Sequence, residues 1–287
     1  FLEAKPNAIR LNSVDGETLR VVYQDSDFPV LGLPDLSPDG SRMLFHRTSK
    51  DSSVGTQIVL ANLAGDVVSE LCSGRQPSWS PDGTQFVCAR TVAEGAGGKQ
   101  IWVMTADGRG GRSIGKGTSP RWSPDGKTIA FLRDNGIVLY DTVAGGSKVL
   151  LVREGHRYTT LGDGIAWAPL GDQLALLATR PNFVELILVS IPSPKPKLPR
   201  EQDQLGVVVP PEKGKPGPLI AAQRGFASCR NGGQISWGQN GIYFSILSNA
   251  TGTPPKGSLI QHWVPAKNGG KMLRSGLSSK VTWKSAC

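Results

Sequence analysis

The fold is decided by PRWSPDG, Pro120–Gly126, because the chain keeps repeating it: PSWSPDG at Pro77–Gly83 and PDLSPDG at Pro34–Gly40. Worn copies follow as GIAWAPLGD (Gly164–Asp172), QISWGQNG (Gln234–Gly241) and KVTWKSAC (Lys280–Cys287). Successive glycines Gly40, Gly83 and Gly126 stand 43 residues apart. The phrase has a mechanical reading. Proline presets φ at the first turn position, aspartate bonds nearby backbone, and glycine accepts the left-handed conformation that closes a hairpin.

Set in register on tryptophan, each unit reads as four short strands. From Pro77 these are PSWS, TQFVCAR, KQIWVMTA and RSI; the next unit runs RWS, KTIAFLR, GIVLYDT and KVLLV. A period of about 40–45 residues with four strands per unit marks a β-propeller blade. The expectation is an all-β, six-bladed β-propeller with four-stranded antiparallel blades. At the N-terminus FLEA, AIRLNSVDG and TLRVVYQ read as second, third and fourth strands. The C-terminal KVTW would add the inner strand and close the ring, removing exposed sheet edges. Trp79, Trp122, Trp167, Trp237 and Trp283 end the first strands, where wide rings fill the gap between neighbouring sheets.

Residues 1–287 therefore read as a single propeller domain, interrupted once. The run at 191–218 carries eight prolines and breaks the period. Proline cannot donate to a ladder, so an extended surface insertion is expected there. Of the 287 residues, 38% are hydrophobic and 19% charged, which suits a soluble globular body. No apolar run reaches the roughly 20 residues of a membrane span. Phe1 in place of methionine is the start expected of a processed or shortened chain. The net charge of +9 favours acidic partners, although simple solubility explains it as well. Without a Lys/Arg block interleaved with aromatics, nucleic acid is not expected.

WSPDG followed by TIAF and IWVMTADG resembles the repeat of the TolB-like propellers, a WD40-like Pro-Asp repeat family. The likeness is strong over Pro77–Leu132, good over Pro34–Asp66, weaker in the last two blades, and runs through nearly the whole chain. The resemblance implies a non-enzymatic, periplasmic or otherwise exported adaptor that holds other proteins on one propeller face; a monomer is expected. No stretch of the 287 residues reads as the family's separate α/β domain, and RTSKDSS, RTVAEGAG and RDNG replace the family's S-D-R-D-G after strand two. The same repeat also builds oligogalacturonate lyases and the non-catalytic propellers of larger peptidases.

Function is expected at the loop-rich end of the strands, where units differ most: 48–55, 91–98, 153–164, 223–233 and 248–257. Arginines gather there. Arg47, Arg90 and Arg133 share one register position, two residues past the strand-two phenylalanine or its counterpart. Arg75, Arg121, Arg153, Arg157 and Arg230 flank the first strands, and Asp35 and Arg121 lie on those strands, placed to line a channel. Guanidinium forks suit carboxylates and other oxyanions, so an acidic protein or peptide is the expected partner. Repeat descent would equally copy a solvated arginine. Among the three histidines, His156, with Tyr158 and Asp163 nearby, is the one placed for acid–base work, and a solvated loop histidine is the plainer reading. No histidine pair has ligand spacing and no nucleophile elbow occurs, so neither a metal nor another cofactor is expected. Cys88 falls at a core position, Cys72 and Cys229 in loops leading into first strands, and Cys287 at a hairpin. No cysteine pair is expected to meet within the roughly 7 Å a disulfide needs.

Overall fold

A computed structural model describes residues 2–5, 7–12, 18–28, 34–91, 98–134, 136–151, 160–180, 183–191, 231–238, 241–247 and 258–263. All secondary structure among them is β, in six sheets that each follow chain order. The first is β1 (Leu2–Lys5), β2 (Ala8–Asn12) and β3 (Thr18–Gln24). The second is β4 (Asp35–Leu36), β5 (Arg42–Thr48), β6 (Thr56–Asn62) and β7 (Val67–Ser73); the third is β8 (Arg75–Trp79), β9 (Gln85–Thr91), β10 (Lys99–Thr105) and β11 (Gly111–Lys116). The fourth is β12 (Thr118–Trp122), β13 (Thr128–Arg133), β14 (Gly136–Asp141) and β15 (Ser147–Leu151). The fifth is β16 (Thr160–Trp167), β17 (Gln173–Arg180) and β18 (Phe183–Ser190), and the sixth β19 (Asn231–Gly238), β20 (Gly241–Leu247) and β21 (Ser258–Trp263). The four-stranded antiparallel sheets match the units read from the repeat, and the three N-terminal strands fall where the sequence places them. No helix among the described residues is long and apolar enough to cross a membrane. The segment at 192–218, the KVTW strand, Trp283, Cys229 and Cys287 lie outside the described residues.

The strands group into two compact units, Phe1–Asp134 with Val138–Lys148, and Asn135–Ile137 with Val149–Cys287. In the first unit the sheets stack face to face, and this explains the apolar runs. A second strand such as β9 is covered on both sides, so its burial is continuous instead of alternating. Phe86 and Cys88 pack one way, against Leu44, Ile58, Leu60 and Trp79. Val87 and Ala89 pack the other way, with Ile129 and Phe131. Fourth strands β7 and β11 are mostly open to water. Trp79 is buried and meets Phe86 edge-on at 6.4 Å, in the filler role expected of it.

The repeated turn is built around its serine. In Ser80–Gly83 the serine hydroxyl accepts the Gln85 N–H at 3.0 Å and donates to Asp82 at 2.5 Å, while Asp82 accepts the Thr84 N–H. Gly83 takes φ 69° and returns its N–H to the Ser80 carbonyl. Ser37 and Ser123 repeat the arrangement with Asp39 and Asp125. These bonds hold the Asp39 carboxyl down at about 2 and lower Asp82 as well, the serine hydroxyl first in each case.

Two expectations about loops are corrected. Residues 160–164 and 231–233 belong to β16 and β19, not to connecting loops. Cys72 lies within β7, because the passage from fourth to first strand is a single residue, Gly74, and Gly117 makes the same passage in the next blade.

Candidate binding site at the inner strands

First strands β4, β8 and β12 lie side by side along one edge of the first unit. Asp35, Ser78 and Arg121 occupy one register position on them, 43 residues apart. Each of the first two clasps the next blade. The Asp35 carboxylate accepts the Trp79 N–H at 2.6 Å, and the Ser78 hydroxyl accepts the Trp122 N–H at 3.4 Å. Arg121 reaches back and donates to the Pro77 carbonyl at 2.9 Å.

Ahead of this row the strands bulge. The β8–β9 register shifts between Arg75 and Ser78, and the β12–β13 register between Thr118 and Arg121. Gln76 and Ser119, equivalent pre-proline residues, take left-handed φ values of 55° and 53°. A non-glycine residue held there costs on the order of 1 kcal/mol or more, and such strain persists only where surrounding contacts fix it. Here those contacts cross from blade to blade. The Gln76 N–H donates to His46 Nδ1 at 3.2 Å, and its side-chain amide both donates to Ser119 Oγ at 3.0 Å and accepts the Ser119 N–H at 2.9 Å.

Charge is concentrated at this edge. His46 is buried; desolvation first, then the Arg75 and Arg121 guanidinium groups, pushes it down to about 3. It is therefore neutral at pH 7, with its ring proton on Nε2 because Nδ1 accepts. Burial raises Asp35, against the pull of Arg121 and the Trp79 N–H. Two guanidinium groups beside a neutral imidazole and one reluctant carboxylate make an edge suited to receiving an oxyanion. Among the described residues no group of three or more His, Cys, Asp or Glu side chains is placed to hold a metal.

The sequence-predicted arginines divide by environment. Arg47 is buried: it pairs with Glu70, donates to the Tyr23 hydroxyl at 3.0 Å, lies 3.7 Å from Asp25 and stacks 3.9 Å from the Phe28 ring centroid. It ties the first sheet to the second. Arg90 is half-buried over Trp102, 5.0 Å from that ring's centroid, and Arg133 is also half-buried. Arg75 donates to Thr56 Oγ1 at 3.3 Å. Arg75 and Arg121 come together around His46, whereas Arg47 and Arg90 lie at successive blade interfaces. Arg153, His156, Arg157, Tyr158 and Arg230 lie outside the described residues. Sequence reasoning passes over His46, Gln76 and Ser119. The signal available is the shared pre-proline position of Gln76 and Ser119, two polar residues 43 apart.

No family model matches the sequence, and no curated protein matches it. Solved structures do. TolB from Acinetobacter baumannii superposes with a TM-score of 0.54 at 17% identity over 86% of this chain. An Agrobacterium tumefaciens protein assigned as TolB gives 0.56 at 20% identity, covering 85% of this chain and 80% of its own. The fold is that of a TolB-like β-propeller. This chain spans 60% of the Acinetobacter protein's length. The same fold carries catalysis elsewhere: an oligogalacturonate lyase from Vibrio parahaemolyticus matches with a TM-score of 0.51 at 12% identity, covering 91% of this chain and 73% of its own.

Proposed function

We propose that this propeller is a non-enzymatic protein-binding scaffold, exported from the cytoplasm, that engages an acidic protein or peptide through its arginine-bearing loop end and inner edge. The observation that carries the proposal is the approach of Arg75 and Arg121 to His46 on successive inner strands, with Asp35 as the facing carboxylate. Rigid blades hold these forks in place, so little side-chain entropy is lost when a carboxylate arrives. The half-buried Arg90 and Arg133 extend the positive surface along the same register. Arg47 contributes to the frame instead, because Glu70 and Asp25 already take its charge. The test is binding of a poly-glutamate peptide by wild type and by the R75Q/R121Q and R90E/R133E variants, each checked for an unchanged Tm. Affinity should fall at least tenfold and weaken as salt rises; equal affinity would sink the acidic-partner reading.

The Vibrio lyase's fold supports a second reading, an enzyme acting on an anionic oligosaccharide bound by the same arginines. Incubation with oligogalacturonate, with and without divalent metal, should then build ultraviolet absorbance from unsaturated product. A flat trace in both arms removes this reading.

A further inference from the structure

The sequence places no two cysteines together, yet the structure brings Cys72 and Cys88 to one apolar cluster across a blade boundary. Cys72 pairs with Ile58 in the second sheet and shares its face; Cys88 pairs with Trp102 in the third. Both belong to the one apolar cluster that joins these sheets. Backbone closes in on either side of them. A Cβ at Gly74 would stand 3.2 Å from the Ala89 carbonyl oxygen and 3.3 Å from Arg90 Cγ, and one at Gly108 would stand 2.8 Å from Leu71 Cβ. Both thiols are unoxidised.

The pair is asymmetric in the manner of an attacking and a resolving cysteine. Cys72 is half-buried, and its thiol is lowered by the Cys88 thiol and by the Arg90 guanidinium, against the effect of burial. Cys88 is fully buried and raised by the Cys72 thiol and by desolvation. Thiolate is the nucleophile in disulfide exchange, so the lowered, more accessible sulfur reacts first.

We propose that Cys72 and Cys88 are a redox pair that closes to a disulfide between neighbouring blades when the protein meets a small-molecule disulfide. The Cys72 thiolate attacks one sulfur of that oxidant; its S–S bond breaks and the first thiolate leaves, taking up the proton Cys72 released. Cys88 then gives its proton to solvent and attacks the Cys72 sulfur, expelling the second thiol of the oxidant as thiolate, which is protonated in turn. Two protein thiols are oxidised by two electrons and one external disulfide is reduced to two thiols. The bridge would fasten the outer strand of one blade to the second strand of the next, closing a short loop and restricting the unfolded chain. The pairing is independent of what the protein binds.

The experiment is to reduce and desalt the purified protein, then treat it with oxidised glutathione. Two of the four cysteines should lose maleimide reactivity after denaturation, and a peptide map should show Cys72 joined to Cys88. Tm should rise by roughly 5–10 °C and return with reductant. The C88A variant should instead trap glutathione on Cys72. The proposal is overturned by a wild-type map in which Cys72 carries glutathione while Cys88 stays free, by a bridge to Cys229 or Cys287, or by four unchanged thiols. The wild-type map decides even where C88A fails to fold.

Discussion

His46 shows how much one residue's setting differs from what its letter announces. Its register counterparts are Ala89 and Leu132, 43 and 86 residues on, both buried apolar side chains. A histidine in that place stays neutral, and stability responds to pH accordingly. The folded value lies near 3 and the ordinary value at 6.5. Between them the unfolded chain binds a proton that the folded protein refuses, so stability rises with pH through this window, by at most about 1.4 kcal/mol per unit for one proton. Asp35 works in the opposite direction, since its raised carboxyl binds a proton more readily when folded. Urea unfolding across pH 3 to 7 for wild type and H46L separates the two, because Asp35 is common to both. H46L should lack the His46 slope, and at pH 7 it should be weaker by about 1–3 kcal/mol because the Gln76 N–H loses its acceptor. An unchanged slope would place the titration elsewhere.

At the scale of the element, the turn is legible in the sequence and its centre is not. Proline, aspartate and glycine in SPDG announce a hairpin because each has a local conformational preference, and the positive φ values of Gly40, Gly83 and Gly126 agree. Serine's local preference is weaker. Its contribution comes from burial, at 4%, 2% and 2% exposure for Ser37, Ser80 and Ser123, and from an N–H five residues on. The worn copy Ala168–Gly171 is the natural control. It keeps the backbone bonds, Ala168 N–H to Gln173 and Gly171 N–H to Ala168, and the glycine at φ 73°, but has lost both the hydroxyl and the carboxylate. Leu170 stands 88% exposed where the aspartate would be. Restoring the pair as A168S/L170D should add about 1 kcal/mol, a Tm gain of roughly 2–4 °C by calorimetry. The reverse change, S80A, should cost about 1–3 kcal/mol, since losing the hydroxyl takes an acceptor from the half-buried Gln85 N–H and a donor from Asp82. A silent S80A would mean that the backbone alone closes this turn.

For the molecule as a whole, a fixed period makes the architecture readable from one chain. The repeat locates the sheets of the first unit because each must present the same two faces to its neighbours, and only a few residue patterns do so. What passes between blades is hidden, since it joins residues far apart in sequence by side-chain reach rather than by local preference. The register arginine Arg47 looks like its fellows Arg90 and Arg133, yet Glu70 and Asp25, both remote in sequence, turn it inward. Cys72 and Cys88 fall in separate surroundings by sequence for the same reason: the single-residue passage at Gly74 cannot be told from a loop by composition. The C-terminal KVTW carries the sharpest remaining expectation, that a last inner strand joins the three N-terminal ones and completes a ring. Closure would remove two exposed sheet edges at once. Ending the chain at Ser279 would then uncover both, so the shortened protein should unfold at a Tm lower by roughly 10 °C or more, in line with the loss of several kcal/mol of burial. It should also scatter more light than the 287-residue chain at equal concentration. A shortened chain with the same Tm and the same scattering would show that the propeller holds together without that strand, and the sequence-based closure would have to be abandoned.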